Sequence, residues 1–68
     1  MSFLLLYDLG RSKNAARLKV NRELSKINAS MFQHSVWEHT DIDKLRRIAD
    51  FIRKNGGKAI ILEKKIVY

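Results

Sequence analysis

The sequence predicts a single α+β domain in which two amphipathic helices cover one face of an antiparallel sheet. Three observations carry that expectation. Apolar runs of strand length and apolar stripes of helical period alternate along the chain in the order β-α-β(β)-α-β. The chain has only 68 residues, 46% of them hydrophobic, which suits one globular domain over residues 1–68 and leaves no room for a second. The connections are short, with no linker, internal repeat or low-complexity stretch.

The first strand is expected over residues 2–9, where Phe3-Leu4-Leu5-Leu6-Tyr7 makes a short buried run closed by Asp8, Leu9 and Gly10. A run of this kind fits a central strand, and Asp8 at its end shares a side with Leu4 and Leu6. The first helix is expected over residues 12–27, with Ser12 as candidate N-cap and Ala16, Val20, Leu24 and Ile27 as its apolar stripe. Leu18 falls off that stripe. Residues 31–39 read as two short strands separated by a bend or bulge near Ser35. The second helix is expected over residues 41–55. Thr40 and Asp43 have capping-box spacing, and Ile42, Leu45, Ile48, Ala49 and Ile52 form the buried stripe. Asn55-Gly56-Gly57 supplies the left-handed stop. Asp43–Arg47 and Asp50–Lys54 are spaced as i, i+4 ion pairs. The last core strand is expected over residues 58–63, followed by the apolar, strand-like tail Ile66-Val67-Tyr68. This order fits a split βαβ, ferredoxin-like arrangement.

Fourteen Lys and Arg face seven Asp and Glu, a formal net charge of +7. That balance favours an anionic partner, nucleic acid or an acidic membrane surface. Cysteine is absent, which excludes a disulfide framework and thiolate metal sites. A small core without such staples commonly oligomerises, so a homodimer is expected, with the Ile66-Val67-Tyr68 tail pairing with the partner subunit. No segment has the length of a signal peptide's apolar region or of a membrane span, so a cytoplasmic protein without a membrane partner is expected.

Six basic residues and one acid, Glu23, lie between Arg11 and Lys26. Lys19, Arg22 and Lys26 fall on one side of the first helix, so they could follow a phosphate backbone as well as form a solvated face. Arg11 and Arg17 lie beside them. Asp8 could be a metal ligand or a turn-former that accepts backbone N–H bonds. One carboxylate is a poor Mg²⁺ site, and a second copy across a two-fold axis would change that. His34, Glu38, His39 and Asp41 have no defensible ligand spacing and read as surface polar residues. Phe32 and Trp37 could stack bases, but core or dimer packing is the simpler reading of both.

Tyr7-Asp8 closing the first strand, a basic helix containing Arg17 and Lys19-Val20, and Gln33-His34-Ser35-Val36-Trp37-Glu38 together resemble the small CRISPR-associated Cas-two proteins over about residues 3–63. The resemblance implies a ferredoxin-like homodimer acting in spacer acquisition, a part of antiviral defense. In that family the first-strand Asp of each subunit lies near the dimer axis. Some members are metal-dependent endonucleases, hydrolases of RNA or DNA; others are non-catalytic bridges that hold DNA in a Cas integrase complex. It implies Asp8 as the catalytic and Mg²⁺-binding candidate, Arg17 and Lys19 as nucleic-acid contacts, and Gln33 and Ser35 at the interface or site; Trp37 beside them is an interface candidate through dimer packing. The chain departs from the family in Trp37, where Phe is usual, and in ending at Tyr68. Most members continue further, through an extension that contacts the partner subunit and the integrase. That shortness leaves the integrase contact open and admits a toxin-like ribonuclease or another RNA-binding module of the same fold.

Overall fold

The computed structural model describes residues 1–65. Its elements run β1 (Ser2–Asp8), α1 (Asn14–Lys26), β2 (Ser30–Gln33), β3 (Val36–His39), α2 (Ile42–Lys54) and β4 (Lys58–Lys64). The four strands form one antiparallel sheet in the order β2-β3-β1-β4. Each helix therefore connects two strands that are not neighbours: β3 lies between β1 and β2, and β1 lies between β3 and β4. The tail Ile66-Val67-Tyr68, expected to pair with a partner subunit, lies outside the described residues.

Alternation in β1 separates two faces. Leu5 and Tyr7 point inward, and their cross-strand partners Trp37, Ile61 and Ala59 share that side. Val20 and Leu24 of α1 and Leu45, Ile48, Ala49 and Ile52 of α2 close over them in a single core. Leu5, Val20, Leu24, Leu45 and Ile52 are fully buried. Fully burying each contributes roughly 1.5–3 kcal/mol, which makes this cluster the main source of stability. Both expected stripes are present, with Ala16 and Ile27 half-buried at the ends of the α1 stripe and Ile42, expected to be buried, only half-buried at the start of α2. Leu18 is 59% exposed, as its position off the stripe requires.

Several boundaries and caps differ from expectation. Leu9 is buried but lies past the end of β1. α1 begins at Asn14, not at residue 12: Lys13 N–H donates to Gly10 O (3.0 Å), which places Ser12 inside an exposed turn with no capping role. Lys13 takes the cap position without a side-chain bond to the helix. For α2 the cap is Asp41, not Thr40. Its Oδ1 accepts from Asp43 N–H (3.0 Å) and Lys44 N–H (3.3 Å). A carboxylate is among the strongest N-cap acceptors, and it complements the positive end of the helix. His39 holds that cap in place. Its Nδ1 accepts from Asp41 N–H (2.8 Å), so its Nε2–H donates to Ile27 O (2.7 Å) at the end of α1. One imidazole thus ties the end of α1 to the start of α2.

The bend near Ser35 is present. Ser35 adopts φ 65°, a left-handed conformation uncommon outside glycine, and the β2–β3 register shifts between Met31 and Gln33. At the same end of the sheet, by the C-terminus of β1, Gly56 takes φ 82° and Gly57 N–H returns to Ile52 O (2.9 Å), ending α2 as expected.

Candidate nucleic-acid interface

A helix rotates about 100° per residue, so neighbours two apart face roughly opposite flanks. This divides the basic residues of α1. Lys19, Arg22 and Lys26 lie on the flank toward α2 and solvent. Arg17 lies on the other flank, toward the β2–β3 hairpin, and is no part of that stripe. Its Nη2 donates to Leu9 O (2.6 Å), so it also braces the chain leaving β1. Arg11 is exposed in the turn before α1.

Between the helices runs a groove of about 300 Å³, lined by Lys19, Val20, Glu23, Arg47, Ile48 and Phe51. Lys19 Nζ stands 4.8 Å from the centre of the Phe51 ring, within cation–π range. Arg22 is exposed and has no ion-pair partner among the described residues. Lys26 makes a 3.5 Å pair with Glu23, open to water and therefore weak.

The expected ion pairs of α2 are replaced by others. Arg46 pairs with Asp43 (3.3 Å) and Arg53 with Asp50 (3.4 Å), both at i, i+3 spacing. On an exposed helix the i, i+3 and i, i+4 geometries have similar energies, and local rotamers decide between them. Arg53 is further held by donating to Ala59 O (2.8 Å). The exchange matters because it leaves Arg47 free of an acid among the described residues and places it in the groove with Lys19. Sequence spacing concealed Arg47, because it assigned that residue an acid that Arg46 takes.

Asp8 is exposed at the end of β1, opposite Lys58. With Leu6, Lys58 and Ile60 it borders a shallow recess of about 210 Å³ on the sheet face away from the helices. That face is largely apolar and is left uncovered by the described residues. Ile60 is 57% exposed, Leu62 48% and Phe32 59%, with Leu4, Leu6 and Val36 half-buried beside them. Phe32 is thus neither a core residue nor an arranged stacking platform.

Among the interface candidates, Gln33 is exposed and Ser35 half-buried. Trp37 is a core residue, 6% exposed, because its place opposite Leu5 puts it on the inner face. It offers a partner subunit almost no surface.

His34, Glu38, His39 and Asp41 do not converge. His34 is at the hairpin turn, and His39 and Asp41 serve the α2 cap. Glu38 accepts from Ser2 Oγ (2.8 Å) and Lys64 Nζ (3.1 Å). The Ser2 hydroxyl, then Lys64, hold its carboxyl below the ordinary glutamate value. Among the described residues no three His, Cys, Asp or Glu gather in a metal-binding group. Asp8 is a single carboxylate facing a lysine across the strand pair, which by itself is a poor Mg²⁺ site. No helix among the described residues is long and apolar enough to cross a membrane.

Comparison with known proteins finds no matching family model, no matching curated protein and no matching solved structure.

Proposed function

We propose that this protein is a nucleic-acid-binding homodimer with a ferredoxin-like fold, acting as a DNA-holding adaptor of the CRISPR spacer-acquisition type. The observation that carries the binding function is the pair of exposed cations Lys19 and Arg47 lining the inter-helix groove, with Arg22 exposed one turn along α1 from Lys19. Three cations spread over two rigid helices contact phosphates without reading bases, which suits a protein that holds nucleic acid irrespective of sequence. The fold reading is supported by the interleaving of the two strand–helix–strand units. The family reading rests on Tyr7-Asp8 and Gln33–Glu38, described above.

The dimer is supported by the uncovered sheet face. A second copy packed on Leu4, Leu6, Ile60 and Leu62 removes this apolar surface from water in both subunits. Asp8 lies on the same face, so a two-fold axis beside it would bring the two Asp8 side chains together. The endonuclease reading depends on this second carboxylate, since one chain does not supply a divalent site. Phosphate contact by the helix cations calls for no such site, and we favour the adaptor.

One experiment separates these readings: cleavage and binding of DNA and RNA measured together for the wild type, Asp8→Ala and Lys19→Glu/Arg22→Glu. The adaptor predicts no cleavage with Mg²⁺ or Mn²⁺, unchanged binding in Asp8→Ala, and lost binding in the double reversal. Metal-dependent cleavage abolished by Asp8→Ala makes the protein an endonuclease. Binding that survives the double reversal refutes the interface.

A further inference from the structure

The other flank of α1 faces a second recess. Between α1 and the β2–β3 hairpin lies a cleft of about 230 Å³ lined by Tyr7, Arg17, Asn21, Met31, His34, Ser35 and Trp37. We propose that this cleft holds a single unpaired nucleobase, with Arg17 and His34 at the phosphate that follows it.

The cleft is chemically mixed in the way a base requires. Met31 and Trp37 supply apolar wall, and Asn21, Ser35 and His34 supply donors and acceptors for a heterocycle's edge. Its size is below the roughly 300–1,000 Å³ typical of drug-sized ligand pockets, which suits one ring system and excludes a folded oligonucleotide. Arg17 brings a positive charge with no carboxylate to neutralise it among the described residues. Its bond to Leu9 O fixes one end of the guanidinium and leaves other donors for a ligand. Tyr7 is oriented by donating to Asn21 Oδ1 (2.9 Å), so the inner wall is pre-arranged. Ser35 occupies its left-handed conformation at the rim, while its carbonyl accepts from Tyr7 N–H (3.1 Å). That strained turn aims His34 and Ser35 at the opening, and such outliers concentrate at binding sites. The cleft is separate from the Lys19–Arg22–Arg47 surface, which lies on the other flank of α1.

Trp37 is the only tryptophan in the chain and lines the cleft, so its fluorescence reports occupancy. The test titrates the protein with adenosine and uridine monophosphates and, separately, with ribose 5-phosphate, which carries the phosphate without the base. The nucleotides are expected to change Trp37 emission saturably, and ribose 5-phosphate, which lacks the base that fills the cleft, to bind at least about tenfold more weakly. Met31→Ala and His34→Ala, both at exposed positions, should each weaken nucleotide binding several-fold with unchanged far-ultraviolet circular dichroism. Arg46→Glu, at an exposed position on the β4 side of α2, should leave it unaltered. Equal affinity for ribose 5-phosphate, or indifference to both cleft variants, overturns the proposal. The inference rests on the reading of this chain as a nucleic-acid binder, but the two fail separately. Duplex binding that depends on Lys19 and Arg22, with no Trp37 response to any nucleotide, removes the cleft and leaves the adaptor surface standing.

Discussion

The sharpest consequence of the helix-layer surface is a salt dependence that can be counted. Lys19, Arg22 and Arg47 are the cations presented on or beside the groove without an acid partner among the described residues. If each neutralises one phosphate of duplex DNA, log K falls with log salt at a slope of about −0.9 × 3, or −2.7 per subunit. Between 50 and 200 mM salt, a change of about 0.6 in the logarithm, each subunit then loses roughly 40-fold in affinity. Arg22→Glu removes one contact and should flatten the slope by about 0.9. Arg47→Glu should do the same, because Arg46 and not Arg47 is tied to Asp43. Glu23→Gln should act in the opposite sense. It frees Lys26 from its 3.5 Å pair and removes a negative charge from the groove, steepening the slope toward four contacts. The control is Arg46→Glu, an exposed residue beside Ile42 and Asp50 on the β4 side of α2. Fluorescence anisotropy of a labelled duplex across a salt series reads all four slopes. A loss from Arg46→Glu equal to that from Arg22→Glu, or a slope indifferent to Arg47, refutes the assigned surface.

Three further outcomes follow from the geometry. A Cβ on Gly57 would meet Asp8 O, Ile52 Cγ2 and Leu9 Cδ2, each at 2.7 Å, and the backbone oxygen sits in a paired strand that cannot yield. Gly57→Ala should cost about 1–3 kcal/mol and lower the melting temperature by at least about 4 °C; an unchanged melting temperature would mean that the β1–β4 pair is looser than described. Burial raises the Tyr7 hydroxyl above its ordinary value of 10.0, with the nearby Arg17 charge opposing the shift. Tyr7 therefore ionises in the unfolded chain before it does in the folded one, so its contribution to stability falls as pH rises past 10. Tyr7→Phe should be less stable at neutral pH by about 0.5–1.5 kcal/mol, through loss of the bond to Asn21. It should also decline less steeply above pH 10, as followed by denaturant unfolding at each pH. Ile60→Lys and Leu62→Lys replace exposed side chains of the open sheet face, so each should leave the subunit folded while dissociating the dimer. Sedimentation equilibrium checks this, and a wild type monomeric at micromolar concentration would remove the premise.

By itself the sequence determined the order of elements, most of the helix residues that enter the core and the stop of α2. Each depends on local periodicity or on glycine's freedom at positive φ, and those act over a few residues. Hence the α2 stripe of Leu45, Ile48, Ala49 and Ile52 is buried where expected, and the break near Ser35 is present. Cap identity was only partly legible. Thr40 and Asp41 are both good caps in isolation, and a bond from Asp41 N–H to the His39 ring, itself anchored at Ile27 across the fold, accompanies the use of Asp41. The candidate sites were legible as residue types and not as arrangements. Arg17 and Lys19 look like one basic run along the chain, but the packing of α1 sends them to different flanks and different recesses. Trp37 has the composition of an interface residue, yet pairing opposite Leu5 turns it into the core. Arg47 gains its place because Arg46 takes the nearer acid. Tertiary structure decided these points because the direction of a side chain depends on which face its element buries. That choice is made by the whole sheet and both helices together, not by neighbours in sequence.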